Sequence, residues 1–298
     1  YYAVVTGWCL NYFQSAIRGG LSQGVDTIEV WNNFLQAPGQ VIIFQMIAIL
    51  ITMAAIWKGA KAIEKANVML MVSLFVLLFV ALFLSFVMDF EDGTLDGFVY
   101  MFSIQPEYLM EPETWINGLS QSAWSCSAGM GMAITYSVYM RKDEDTTLNA
   151  ATMCLANNSI SIIAGLTVMM AVFAVVDDPL SAVGGGSSAI TFLVLPEVFA
   201  KAPGGPVVQL LMVAVFFLAL SFAALTSMIS TVELCVRNFV DHGIDRSKAV
   251  GFTSLAIFLF GLPSAALWIL VDDSTGVAFP QFLEVQDHIW GYGLMFSG

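Results

Sequence analysis

The sequence is 298 residues long, 58% hydrophobic and 11% charged, with a formal net charge of -13. Soluble domains carry about 25% charged residues, so this composition, with a mean hydropathy of +0.81, excludes a soluble globular protein and fits a polytopic helical membrane protein. Charge is also sorted along the chain. Lys58, Lys61, Lys65, Arg141, Lys142, Arg237, Arg246 and Lys248 fall in or beside alternate inter-helix loops, which the positive-inside rule makes cytoplasmic. The remaining loops set Arg18 and Lys201 against Asp89, Glu91, Asp92, Asp96, Asp177, Asp178, Asp272 and Asp273, and face out.

The first predicted helix covers residues from about 1 to 19 and runs from inside to outside, with Tyr1, Tyr2, Trp8 and Tyr12 as aromatic surface. It opens without an initiator Met or a polar leader, so the chain reads as a fragment cut at both ends. A polar outer loop leads to a helix near 40 to 57, followed by a basic cytoplasmic loop over 58 to 67. An almost unbroken apolar run from about 68 to 88 suits lipid contact. After an outer loop from 89 to about 117 comes the stretch 119–140, then a helix from about 150 to 176. The polar first half of that helix, with Asn157, Asn158, Ser159 and Ser161, must face protein. Residues 177 to 205, with Gly184-Gly185-Gly186 and Pro203-Gly204-Gly205, read as a large outer loop with a re-entrant or lid-like hairpin. A helix from about 206 to 240 is long enough to project into the cytosol. The next, from about 249 to 271, is kinked at Pro263, and the tail from Phe282 starts one more. Seven complete spans and part of an eighth are predicted.

Leu119 to Met140 can cross a bilayer, yet Ser125, Ser127, Gly129 and Gly131 in its middle lower helix propensity, so it reads as a discontinuous helix. A break at membrane depth frees backbone carbonyls and amides, which are tolerated only where they line a cavity or bind something. Helical spacing sorts the buried polar groups into faces: Gln121 with Ser125, Asn157 with Ser161, and Ala223 with Thr226 and Ser227. Their neutral oxygens suit sodium, and their hydroxyl and amide donors suit chloride; a soft metal would lack His and Cys partners. Each has a plainer use as well. Serine and threonine often bond their own backbone or join neighbouring helices, Trp124 and Met130 are of a kind that packs cores, and Glu233 offers either a proton carrier or a partner for helix-end donors. Cys9, Cys126, Cys154 and Cys235 read as buried free thiols. No nucleophile–histidine arrangement or phosphate loop points to an enzyme.

Across the whole chain, an ordered set of segments resembles the neurotransmitter:sodium symporter family. The set is Tyr1-Tyr2 with Trp8, the basic segment 58–67, Gln121 through Tyr139 with Ser-Ala-Gly-Met-Gly and Ile-Thr-Tyr, Leu-Pro-Glu-Val-Phe over 195–199, and Ala-Ala-Leu-Thr-Ser over 223–227. The resemblance implies an all-α, partial LeuT-type inverted-repeat bundle over residues 1–298. This single transporter domain runs from the third helix to the start of the tenth, without the first two helices and the C-terminal ones.

The resemblance also implies roles for individual residues. Tyr2 looks like the tyrosine that meets a substrate carboxylate, and Trp124, Ser125, Ser127, Met130 and Ser227 would line the substrate pocket. Trp124 and Met130 stand where phenylalanines are usual, which bears on the preferred side chain. Ser125 and Asn157 look like ligands of a first sodium site, and the Ala223 carbonyl, Thr226 and Ser227 of a second. Gln121, Ser125 and Ser161 resemble three of the four ligands of a chloride site. Asp287 matches an outer-gate acid, Asp241 an inner-gate acid and Tyr139 an inner-gate tyrosine. The implied activity is sodium-coupled symport of an amino acid or related amine across the plasma membrane, with chloride as a candidate second ion. A proton-coupled carrier on the same fold and a non-transporting binding or sensor relative are the alternatives. The expected partners are substrate, sodium and lipid bilayer, with no nucleic acid and no cofactor beyond the coupling ions.

Overall fold

The computed structural model describes residues 1–22, 24–90, 95–184, 186–201, 204–267, 269–272 and 276–297. Glu91, Asp92, Gly185, Pro203 and Asp273, named above, lie outside the described residues. In chain order the elements are α1 (Tyr2–Ile17), α2 (Thr27–Leu35), α3 (Pro38–Ile56), α4 (Ala60–Asp89), α5 (Asp96–Phe102), a 3-10 turn (Pro106–Met110), α6 (Pro112–Ser125), α7 (Met132–Ser137) and α8 (Thr146–Val175). There follow α9 (Pro179–Gly184), α10 (Gly186–Ala189), a π-helical turn (Ile190–Val194), α11 (Leu195–Ala200), α12 (Pro206–Asp241), α13 (Arg246–Ala266), β1 (Ile269–Val271), β2 (Ala278–Pro280) and α14 (Gln281–Ser297).

Five of these, α3, α4, α8, α12 and α13, are long and apolar enough to cross a membrane. The predicted seven complete spans included two that are not continuous helices of that length: α1 has 16 residues, and the stretch around Leu119 to Met140 divides into α6 and α7.

Several boundaries differ from the sequence reading, each for a local reason. The basic segment 58–67 is not a loop: from Ala60 onward it forms the first turns of α4, where Ala, Lys and Glu favour helix. Asp89 is no loop acid either, being the buried last residue of α4 with its Oδ1 accepting from the Gly97 amide at 3.3 Å. The polar outer loop contains α2, started by Asp26, whose side chain accepts from the amides of Ile28 and Glu29 at 2.9 and 3.2 Å. Within the expected loop, residues 179–184 and 186–200 are helical rather than open, and Phe192, Leu195, Val198 and Phe199 bury their side chains in the bundle. Of the four cysteines, all free, only Cys9 is buried; Cys126 and Cys154 are exposed.

Packing divides the core into two clusters, one towards each end of the bundle. The outer one gathers Trp8, Tyr12, Trp31, Phe34, Phe192 and Phe217, with Trp31 stacked 5.3 Å from Phe192 and Trp8 edge-on to Trp31 at 5.1 Å. The inner one gathers Ile56, Ile63, Leu70, Met228, Ile229, Val232 and Val236. The helix α12 runs through both and packs on α1, α3, α4 and α13. Gly7 lets α1 approach α3 closely: a Cβ there would stand 2.7 Å from the Gln45 nitrogen and 2.8 Å from the Phe44 carbonyl carbon. Val68, Met69, Val72, Val76, Phe79 and Phe83 leave an apolar stripe of α4 exposed, as lipid contact requires. Pro263 interrupts the hydrogen-bond ladder of α13, and the fully buried Gln45 donates to the Phe258 carbonyl nearby at 3.2 Å.

A hairpin of β1 and β2, absent from the sequence reading, precedes α14, and α2 holds it by side chains. Asn32 donates to the Gly276 carbonyl at 2.7 Å and accepts from the Ala278 amide at 2.8 Å, while the Trp31 indole donates to the Ala278 carbonyl at 2.7 Å. The two faces of one asparagine side chain thus pair with the strand as a neighbouring strand would.

Candidate ion and substrate site

The break between α6 and α7 is written in the backbone. Ser127, Gly129 and Gly131 have φ of 53°, 70° and 74°, and Ser127 is the one non-glycine with positive φ among the described residues. Two glycines absorb the left-handed turns without a Cβ clash, while Ser127 carries the strain expected at a functional bend. The Ala128 amide reaches back to the Ala123 carbonyl at 2.9 Å and the Met130 amide to that of Ser127 at 3.2 Å. Among the described residues, the carbonyls of Ser125 and Cys126 accept no hydrogen bond across the turn. Two free carbonyls beside a serine hydroxyl make the oxygen-rich corner that a hard cation requires.

Opposite that corner lies α8. The half-buried Asn157 donates its amide to the Ser125 hydroxyl at 2.7 Å. The Ser161 hydroxyl turns back to the Asn157 carbonyl at 2.9 Å, and that of Ser159 to Leu155 at 2.8 Å, so both satisfy themselves on their own helix. Asn158, Ser159 and Ser161 are exposed rather than packed on protein within the chain. Gln121 is exposed too and has no hydrogen-bond partner among the described residues, so Gln121, Ser125 and Ser161 share a neighbourhood without bonding one another.

The start of α1 closes the other side. The Tyr1 ring lies 6.4 Å from that of Trp124, and its hydroxyl faces Asp287 on α14. Tyr2 faces Ser227 on α12, bringing together two residues 225 positions apart in the chain. Next to Ser227, Thr226 donates to the Ala223 carbonyl at 2.8 Å, about one turn towards the N-terminus of α12. Met130 lies partly buried in the turn itself.

Below the break, the inner end of α7 docks on α12. Tyr139 donates to Glu233 Oε1 at 2.5 Å, and Glu233 is fully buried. Arg246 holds the same carboxylate through Nη1 at 3.0 Å and Nη2 at 2.6 Å and donates to the Ile56 carbonyl through Nε and Nη2 at 3.1 and 2.7 Å. Asp241 pairs at 2.6 Å with Arg237, whose guanidinium lies 5.7 Å from the centre of the Tyr139 ring. Of the two uses weighed for Glu233, the geometry is that of pairing. Arg246 was read only as a loop cation. Its place at the first residue of α13, where the helix dipole disfavours positive charge, is the signal that it needed a buried acid.

The described residues thus define a multi-pass helical membrane protein with a discontinuous helix and a buried ion pair beneath the break. The solved structure of MhsT in complex with L-phenylalanine superposes at a TM-score of 0.80 and 29% identity, over 97% of this chain and 64% of that one. The chain belongs to the sodium:neurotransmitter symporter family, whose model matches residues 28–285. The fold is accordingly of the LeuT type. It is 28% identical to the sodium-dependent transporter YhdH of Bacillus subtilis, over 100% of this chain and 64% of that protein. It is 26% identical to the sodium- and chloride-dependent neutral and basic amino acid transporter B(0+) of Mus musculus, over 68% of this chain and 34% of that one. The chain thus spans just under two thirds of the length of the bacterial relative.

Proposed function

We propose that the full-length polypeptide is a sodium-coupled symporter of an amino acid or related amine. The observation that carries this is the Asn157–Ser125 hydrogen bond at 2.7 Å, which sets an amide and a hydroxyl against the free carbonyls of the break. In this reading Ser125 and Asn157 serve a first sodium ion, and Ala223, Thr226 and Ser227 a second. Tyr2 meets the substrate carboxylate, and Trp124, Ser127 and Met130 line the side-chain pocket. Asp287 with Tyr1 belongs to the outer gate, and Tyr139, Glu233, Arg246 and Asp241 to the inner one. The exposed polar face of α8 is where further helices of the full-length polypeptide complete the ion sites. Sodium, by binding the closed break more tightly than the open one, shifts the population towards occlusion over the substrate.

Chloride is a second ion in this proposal, supported by the common neighbourhood of Gln121, Ser125 and Ser161 and by the family's sodium- and chloride-dependent member. The engagement of Glu233 by Arg246 and Tyr139 favours sodium over a proton carried on that residue. The test is uptake of labelled amino acids by the full-length protein in proteoliposomes, with sodium replaced by choline. Loss of uptake in choline supports the reading, and uptake indifferent to the exchange overturns it.

A further inference from the structure

We propose that Tyr136 and Ser230 are positioning residues that tie the inner half of the broken helix to the second ion site. The inference rests on the reading of Thr226 and Ala223 as ion ligands and assigns the residues that hold them. Ser230 lies one turn beyond Thr226 on α12, on the same face. Its Oγ accepts from the Tyr136 hydroxyl at 2.9 Å and donates to the Thr226 carbonyl at 3.2 Å, while the Thr226 hydroxyl donates to the Ala223 carbonyl at 2.8 Å. A helix serine that bonds only its own backbone is commonplace. Ser230 differs because its lone pair is taken by α7, which leaves its single proton to the Thr226 peptide.

Asn67, at the inner end of α4, lies beside the Tyr136 hydroxyl, and its Oδ1 is buried without a partner among the described residues. The register is also paired: Tyr136 on α7 and Tyr139 in the turn that follows it, three residues apart, dock on Ser230 and Glu233, three apart on α12. The outer of these two contacts leads to the ion ligands, and the inner one to the arginine pair. A displacement of α7 from α12 must therefore break the Tyr136–Ser230 bond and release the peptide that aims the Thr226 hydroxyl. By linkage, an ion held at Thr226 favours α7 docked, and undocking α7 lowers affinity for the ion.

The experiment measures uptake against sodium concentration in proteoliposomes of the full-length protein, for wild type, Tyr136→Phe, Ser230→Ala, Ser230→Thr and the Tyr136→Phe/Ser230→Ala double variant. Each single deletion should raise half-saturating sodium about fivefold, the scale of one neutral hydrogen bond, with the change falling on half-saturation rather than on maximal rate. The double variant should be no worse than either single, since both remove one shared bond, and Ser230→Thr, which keeps the hydroxyl, should return towards wild type. Unchanged half-saturation, effects that multiply, or a threonine that behaves like alanine would each overturn the proposal. A wild type indifferent to sodium would instead overturn the symport reading on which it stands.

Discussion

Arg246 and Glu233 meet in a two-pronged ion pair, Nη1 to Oε1 at 3.0 Å and Nη2 to Oε2 at 2.6 Å, with the carboxylate wholly buried. An ion pair of this kind costs desolvation to form and much more to split, because the surviving charge is stranded. Arg246→Ala should therefore destabilise by roughly 3–5 kcal/mol, and adding Glu233→Gln should recover a large part of the loss. Thermal unfolding in detergent, compared across the single and double variants, checks this. A double variant no more stable than Arg246→Ala would show that the stranded carboxylate is not the cause.

The corner at Ser125 predicts a separation of ion effects. Asn157→Ala removes the donor that orients the Ser125 hydroxyl and, in the proposed reading, an oxygen ligand, so half-saturating sodium should rise about tenfold or more, the scale of a contact with a charged partner. Ser161→Ala should leave sodium dependence close to wild type, since that hydroxyl bonds its own helix. Ser161→Glu should remove any chloride requirement, measured as uptake with gluconate in place of chloride.

Gly7 marks a close approach of α1 to α3. The atoms facing it belong to the α3 backbone, which cannot swing aside as a side chain does. Gly7→Ala should cost about 1–3 kcal/mol of stability, as overpacked cores do. Gly251, with open space around its missing Cβ, is the control: Gly251→Ala should be neutral or slightly stabilising in the same thermal assay.

The asparagine clamp on the hairpin can be followed without transport. Asn32→Ala deletes the acceptor of the Ala278 amide and the donor to the Gly276 carbonyl. Hydrogen exchange at Ala278 should accelerate about fivefold or more, while exchange along α12 stays as in wild type. Equal acceleration across the bundle would point to general destabilisation.

Much of this architecture was legible from residue order because the membrane imposes a simple rule: a long apolar run must be a helix, and a polar interruption in it needs a reason. Ser125, Asn157 and the glycines around Ser127 followed that rule. Spacing was less informative about which atom of a residue does the bonding. Asn157 and Ser161 do share a face, yet Ser161 uses the Asn157 backbone, whereas Asn157 sends its side chain to Ser125. Outside the spans the rule gives little. The helix α2 carried usable signals, with Asp26 as cap and Trp31, Phe34 and Leu35 at helical spacing. The hairpin carried none, because its three-residue strands are too short for an alternation and depend on Asn32, far away in the chain.

That distance sets a timetable for synthesis. The Asn32 oxygen and the Ala278 amide are 246 residues apart. At about 5–20 residues per second, α2 emerges roughly 12–50 s before its strand exists. Throughout that interval Trp31 and Asn32 keep their polar groups without the hairpin, and α14, which follows β2 directly, has no anchored start. The register of the helix bearing Asp287 is thus set only once β2 has been made. A polypeptide stalled before Ala278 would carry α6, α8 and α12 complete and still lack the anchored start of α14.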